Sequence, residues 1–488
     1  MIDGCIFEYY RHLKLATSTA PRIMTVLGRL SEFARRPLDA IGAALAVIPD
    51  SWSHERRRVA ITGLRRSGKT VFVTSFAHAL LNAASAPKKA LPFFPFVGNV
   101  QRVDVEDIPG IPRFPYQEHL NNLLGSPPKW PKPTTELAGL RIRIRHNPTG
   151  FIEKRITSSA ILDVDLIDYP GEWLLDLPML SQTYEEWSAQ TEELAKASPR
   201  ATLSKTWLEE AAKVDLDGPE DAESLARVGR LYVEYLDLCR REKKLHYLQP
   251  GRFLLRKNKT FEVAEPFFPV GKLRIAKSES NAAALVRRYL NYQKSVRIFY
   301  SEVFGSLRRQ IILVDLLTAL QQGHESFADL ALAVRTITDA FEELTHPLVK
   351  LLPFGRADRL ALIATKADHV SADQLLNLVA LLKGMIGNPF DPAKSPTPEF
   401  LPVASVRATT ESMRKLKGTI LPFLHGVIED DTEARYVHAG VIPGLVPTAA
   451  AWGQFEFKIR NFEPPLSLSN DQPFPHINLD KVLQSILP

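Results

Sequence analysis

Gly63-Leu64-Arg65-Arg66-Ser67-Gly68-Lys69-Thr70 is the stretch on which the reading of this chain turns. It fits the pattern GxxxxGK(S/T), in which a glycine-rich loop points successive backbone N–H groups at phosphate oxygens. In such a loop the lysine reaches the β and γ oxygens, and the Ser/Thr hydroxyl can ligate Mg²⁺. The flanks agree. Val59-Ala60-Ile61-Thr62 is a short apolar run of the kind that forms a buried parallel strand and ends at Gly63. From Lys69 onward Val71, Phe72, Phe76, Leu80 and Leu81 recur at helical spacing, so a helix N-terminus, with its free N–H groups, lies at the phosphates. Gly63, Arg66, Ser67, Gly68, Lys69 and Thr70 are therefore the expected nucleotide contacts. For Arg65 and Arg66, exposure on the surface is the competing reading.

Downstream, residues 87–139 are rich in proline and aromatics and read as a long ordered loop. The loop ends at Thr134-Thr135, directly before the alternating run Leu140, Ile142, Ile144. One of these two threonines is expected to close over Mg²⁺ and the γ-phosphate, Thr134 as a binding residue or Thr135 as a catalytic one. Asn147-Pro148-Thr149-Gly150 is a turn signal that sends the next strand back antiparallel. That strand, Ile161 to Ile167, delivers Asp168-Tyr169-Pro170-Gly171 at its C-terminal end, where ligands bind in open α/β sheets. Asp168 can hold the metal's hydration shell, and Gly171 can offer its N–H to the γ-phosphate. Asp163 and Asp165 alternate on the same strand and read as structural or as supports for the ligating residues.

A third signal, Thr365-Lys366-Ala367-Asp368, follows the apolar run Leu360 to Ala364 and resembles the (N/T)KxD box of GTPases. A carboxylate here can accept two hydrogen bonds, matching the paired donors on the Watson–Crick edge of guanine, a pair that adenine lacks. Phe400 to Ser405 reads as a last core strand whose Ser405 loop backs the base. Ile311 to Leu317 reads as one more strand, giving the box and strand order of a Ras-like α/β sheet. About 140 residues separate Gly171 from Ile311, far more than a single connecting helix needs. Leu225, Val228, Tyr232, Tyr235 and Cys239, and again Leu285, Tyr289, Tyr292, Val296 and Phe299, recur every three or four residues. A helical insertion is expected there. The organisation expected is a helical lead over 1–50, a nucleotide-binding core over 51–176 and 306–430, a helical domain over 177–305, and a C-terminal extension over 431–488 packing on the core. The basic, apolar lead reads first as packing on the core, with an interfacial membrane helix as the alternative.

Bulk properties set bounds. The 488 residues, 45% hydrophobic and 24% charged, suit two or three globular domains. The net charge of +6 is small for this length, and no helix-turn-helix, RNP or KH pattern supports a nucleic-acid partner. Cys5 and Cys239 are the two cysteines, which argues against a disulfide framework or cysteine-built zinc site and fits a reducing compartment. No stretch approaches the ~18 consecutive apolar residues of a membrane span, so a cytoplasmic or membrane-peripheral location is expected.

Taken with Asp168-Tyr169-Pro170-Gly171-Glu172-Trp173, Leu362 to Asp368 and the tail Pro473-Phe474-Pro475-His476-Ile477-Asn478-Leu479-Asp480, the phosphate loop gives a chain that resembles the YcjX-like family of bacterial P-loop NTPases. The likeness spans nearly the whole chain, and the Asp168 to Trp173 string and the tail are its family-specific parts. The resemblance implies a stress-associated, GTPase-like protein with a Ras-like core and a helical domain. It further implies GTP and GDP as ligands with Mg²⁺, and pairing with a small integral membrane protein at the inner membrane. Where Ras-type enzymes carry a water-orienting Gln, this chain has Glu172. Glu172 is either the water-positioning residue or a salt-bridged switch residue, with Lys69 its catalytic companion. A slow GTPase acting as a switch is the leading expectation; an ATPase of the same fold and a non-catalytic nucleotide-binding scaffold are the alternatives. Oligomeric state has no signature in the sequence.

Overall fold

Seven strands form the central sheet, in the spatial order β2-β3-β4-β1-β5-β6-β7. The computed structural model describes residues 54–85, 90–94, 96, 98–134, 136–147, 159–255, 265–271, 278–303, 307–343, 359–387, 397–416 and 418–487. The expected lead over 1–50, Thr135 and most of the turn after Asn147 lie outside them.

In chain order, β1 (His54–Gly63) runs through the phosphate loop into α1 (Lys69–Leu81), and β2 (Val100–Glu106) precedes α2 (Tyr116–Leu124). Then come β3 (Ala138–His146) and β4 (Ala160–Asp168), followed by a 3₁₀ stretch over Gly171–Leu180. Four helices follow: α3 (Tyr184–Lys196), α4 (Ala201–Ala211), α5 (Ala222–Glu242) and α6 (Asn281–Val303). The chain re-enters the sheet as β5 (Arg309–Val314), then forms α7 (Leu316–Gln322), α8 (His324–Glu343), β6 (Arg359–Thr365), α9 (Leu375–Ile386) and β7 (Glu399–Val403). A separate antiparallel sheet of β8 (Thr410–Leu416), β9 (Thr419–Val427) and β10 (Ala434–Val437) comes next. The chain then passes α10 (Ala449–Trp452) to α11 (Leu479–Ile486).

β1 pairs in parallel with β4 and β5, β5 with β6, and β6 with β7, while β3 runs antiparallel to both neighbours. This is the expected Ras-like α/β arrangement, with β2 added at the edge. β2 and α2 correct the reading of 87–139 as loop. Both are amphipathic edge elements, and β2 buries no residue fully; with few core positions and many prolines around them, their periodicity is weak. β5 also stops earlier than the apolar run suggests. Asp315 ends it by capping α7, accepting hydrogen bonds from Thr318 N at 3.0 Å and Thr318 Oγ1 at 2.6 Å.

Side-chain alternation gives the sheet two apolar faces. One buries Val59, Ile61, Leu140, Val164, Ile311 and Ile363 beneath Phe72 and Phe76 of α1 and Val482 and Ile486 of α11. The other, including Ala60, Ile167, Ile312 and Leu362, is continuous with the aromatic interior of α3–α6, where Trp187, Tyr232 and Tyr289 are fully buried. Helical residues between Gly171 and β5 thus share one core with the sheet. Among the described residues no helix is long and apolar enough to cross a membrane.

Across β3, β4 and β1 the second face turns ionic. Asp163 and Asp165 have no exposed surface, and the register sets Arg141 and Arg143 of β3 and Arg56 and Arg58 of β1 beside them. Arg141 holds Asp165 with two bonds of 2.6 and 3.0 Å, and Arg143 holds Asp163 with two of 2.8 and 2.9 Å. Burial pushes the Asp163 carboxyl up, but Arg143 and His54 hold it below its ordinary value. Both aspartates are therefore structural. Buried pairs are costly to break and cheap to replace as a unit. Asp165→Ala should lower the unfolding free energy by about 3–5 kcal/mol in urea, whereas Arg141→Met with Asp165→Leu should recover only part of that loss, because the buried Arg58, 3.7 Å from Asp165, also loses that carboxylate.

His78 on α1 makes a pH-dependent contribution to the fold. Its ring stacks on Phe474 at 4.1 Å, and Nε2 donates to Gln472 O at 3.0 Å, so it ties the helix to the tail. Burial holds the imidazole below its ordinary 6.5 in the folded chain. The folded state then resists a proton that the unfolded chain accepts, and the contribution present above about 6.5 fades as pH falls below it. The difference in melting temperature between wild type and His78→Gln should narrow from pH ~7.5 to ~5.5. An unchanged gap would show that His78 stays out of the titration.

Candidate nucleotide site

The phosphate loop closes because two of its positions tolerate what side chains elsewhere would not. A Cβ on Gly63 would collide with Ser67 Oγ and stand 2.9 Å from Leu313 Cβ. Gly68, at φ 78°, is the left-handed N-cap from which α1 starts, and Phe72 N donates back to its carbonyl at 2.9 Å. No acidic residue occupies the first turn of α1, leaving its positive end uncompensated toward the loop. Ser67 Oγ is buried there without a hydrogen-bond partner among the described residues. Arg65 and Arg66 are exposed and share a small cavity with Arg240, Lys244, His246 and Asp315.

Four side chains converge behind the loop. Lys69 Nζ lies 2.6 Å from Asp168 Oδ1 and donates to Tyr169 O at 3.0 Å. Thr134 Oγ1 donates to Asp168 Oδ2 at 2.5 Å, and Thr134 N donates to Thr70 Oγ1 at 3.1 Å. The two threonine hydroxyls are 3.2 Å apart. Among the described residues Thr134 stands with Thr70 and Asp168; Thr135 lies outside them. Two hydroxyls and one carboxylate are hard oxygen donors, a set that suits Mg²⁺ completed by water and phosphate. Among the described residues no cluster of three His, Cys, Asp or Glu offers another metal site.

Gly171 packs directly on the loop. A Cβ there would stand 2.6 Å from Gly63 O and 2.7 Å from Gly63 C, so the end of β4 and the loop touch backbone to backbone. Glu172 is half-buried, and its charge acts on Arg65 without an ion pair within 4 Å among the described residues. The backbone of Glu172 is in turn the surface on which Gly251 rests. Four residues on, the fully buried Asp176 accepts bonds from Gly251 N at 2.7 Å, Arg252 N at 3.3 Å and Tyr292 OH at 2.6 Å. Burial pushes its carboxyl up to about 6, against the opposing pull of Arg252 and Tyr292.

At the far side of the sheet's carboxyl edge, Thr365 Oγ1 donates to Val314 O at 3.3 Å, and Lys366 Nζ sits 2.7 Å from Asp315 Oδ2. Although burial pushes the Asp315 carboxyl up, Lys366 and the Thr318 donors hold it below its ordinary value. Asp368 is buried, and its Oδ2 accepts from Ala408 N at 2.7 Å while its carbonyl accepts from Thr409 Oγ1 at 2.6 Å. Ser405 lies on the loop between β7 and these residues. That loop is clamped by the tail: Ala404 and Ile477 exchange backbone bonds of 3.1 and 2.9 Å, and Arg407 N donates to Pro475 O at 2.7 Å. Phe462 packs edge-on against His369 at 5.2 Å, and its carbonyl accepts from Trp130 Nε1 at 2.8 Å, four residues before Thr134.

Sequence reasoning missed Asp176, Asp315, Ala408 and Phe462. Asp315 carried a legible signal, an aspartate three residues before a threonine at the end of an apolar run. The others are joined only by the fold.

The contact between Gly171 and Gly63 gives a direct test. Gly171→Ala should lower the unfolding free energy by about 1–3 kcal/mol in urea, because neither backbone atom facing the added methyl can swing away. Wild-type stability in that variant would mean that the two loops are not in contact.

Comparison with known proteins agrees with this geometry. The profile of the YcjX-like family, DUF463, matches residues 57–488. A protein of Escherichia coli named Ras-like GTPase YcjX is 36% identical over 445 residues, covering 88% of this chain and 95% of its own. One of the same name from Shewanella oneidensis is 30% identical over 458 residues, covering 88% of this chain and 93% of its own. Three glycine- and aspartate-bearing strand ends in register on one Ras-like sheet, and a match running from Arg57 to the C-terminus, place this chain in the YcjX-like family of Ras-like, GTPase-type proteins.

Proposed function

We propose that this chain binds GTP and GDP with Mg²⁺, hydrolyses GTP slowly, and works as a switch read out by its helices. The observation that carries the reading is the convergence of Lys69, Thr70, Thr134 and Asp168 behind a phosphate loop, with Asp368 at the end of another strand of the same sheet. Gly63, Gly68 and Ser67 cradle the phosphates, and Lys69 leaves Asp168 for the β and γ oxygens. Thr70 and Asp168 would hold the metal, which would neutralise phosphate charge. Thr134 would join them as a further oxygen donor, and the adjacent Thr135 is the second candidate for that role. Gly171 N–H faces the γ-phosphate, and Glu172 orients the attacking water. Thr365, Lys366 and Ser405 frame the base.

Guanine selectivity falls to Asp368. Ala408 N fixes one of its oxygens, so the carboxylate is oriented before the base arrives. Its remaining lone pairs suit the paired N–H donors of guanine. The segment 177–305 serves as the reporter domain in this reading, coupled through Glu172 and Asp176. A stress-associated role rests on the family resemblance.

In equilibrium binding, Asp368→Asn should weaken GTP about 100-fold and leave ATP unchanged, since it removes charge-assisted bonds to guanine alone. Tighter binding of ATP than GTP, with no effect of the substitution on either, would remove the guanine reading. Lys69→Ala should abolish turnover; full turnover without that ammonium would contradict its role at the phosphates.

A further inference from the structure

The β8–β9 hairpin carries a surface that the nucleotide site does not use. Its base is anchored: Leu424 is buried with Ala439 and Phe462, and the Glu411 carboxylate accepts from Ala372 N at 2.8 Å. Its far half is bare. Met413 is 62% exposed, Ile420 64% and Leu416 43%. The register opposes Leu416 to Thr419, Lys415 to Ile420 and Arg414 to Leu421, so β8 turns back into β9 between Leu416 and Thr419. Gly418 adopts φ 90°, as such a turn demands.

Cross-strand partners share a face. Met413, Lys415 and Ile420 therefore lie on one side of the ribbon, and Arg414, Leu416 and Leu421 on the other. Each face of the tip combines apolar side chains with a cation. Arg414 is held by its ring partner, its guanidinium 3.1 Å above Tyr436, which itself stacks on His425 at 4.3 Å. In sequence, Arg414, Lys415 and Lys417 stand in a stretch with no Asp or Glu from Ser412 to Ile428.

We propose that this hairpin tip is a docking surface for anionic lipid headgroups. A protein partner of ordinary shape would cover one face of a ribbon, whereas this tip is apolar and cationic on both. A lipid interface surrounds an inserted element on every side. From Met413 to the turn the strand advances about 10 Å, matching the depth to which interfacial elements sink among headgroups. The cations sit where phosphates would meet them, while the methyl and methylene groups go below. In water the same cations keep the exposed β8 edge from pairing with another copy.

The test is co-sedimentation of the full chain with vesicles of phosphatidylglycerol and phosphatidylethanolamine, against phosphatidylcholine vesicles. Wild type should bind the anionic vesicles, less so as salt rises, and leave phosphatidylcholine largely in the supernatant. Arg414→Gln with Lys415→Gln should weaken binding about 25-fold. Met413→Ser with Ile420→Ser should weaken it at least about tenfold. Arg414→Lys with Lys415→Arg should bind as wild type, which separates charge from fold, and the serine pair is too exposed to unfold the chain. Anionic vesicles that do not bind wild type, or bind every variant equally, would overturn the proposal. So would hairpin-dependent binding to an RNA or an acidic protein in the absence of vesicle binding.

Discussion

The close approach of Gly171 to the Gly63 backbone is the constraint on which the site depends. Because the end of β4 lies against the phosphate loop with no side chain between them, Asp168 comes within reach of Lys69, and Thr134 can bridge Asp168 and Thr70. One added methyl at position 171 would push the two loops apart and separate all four groups. The parallel pairing of β1 with β4, with Ile61 opposite Asp168, sets this meeting point. The ionic layer under Asp163 and Asp165 locks that pairing from below, so the charges buried in the sheet serve the geometry above it.

From the same contact a path leads outward. Glu172 supports Gly251 through its backbone, and Asp176 gathers Gly251, Arg252 and Tyr292, so a shift of the segment after Asp168 meets α6 without a gap. The core of α3–α6 is continuous with the sheet face, which makes these helices well placed to feel that shift. On the other side, the tail clamps the loop after β7 and, through Phe462 and Trp130, reaches the approach to Thr134. The loop after β7 and the approach to Thr134 thus share a support.

Much of this was legible in the sequence because the signals were local. The phosphate loop, Asp168-Gly171 and Thr365-Asp368 each sit at the end of an apolar run, and seven or eight residues suffice to recognise them. The stripes at Leu225 to Cys239 and Leu285 to Val296 were equally plain, since long helices repeat their period. β2 and α2 were hidden because a short edge strand and a two-turn helix bury too little to show a period. The roles of Asp176 and Phe462 could not be read at all. Each acts through partners many residues away, and only the folded chain brings them together.

Hydrogen exchange on the full chain, compared between GDP and a non-hydrolysable GTP analogue, tests the central claim most directly. Protection should change together at Thr134, over Gly171–Leu180, over Gly251–Leu255 and around Tyr292 in α6. A change confined to the phosphate loop, with Gly251–Leu255 and α6 exchanging identically in both states, would contradict a switch read out by the helices.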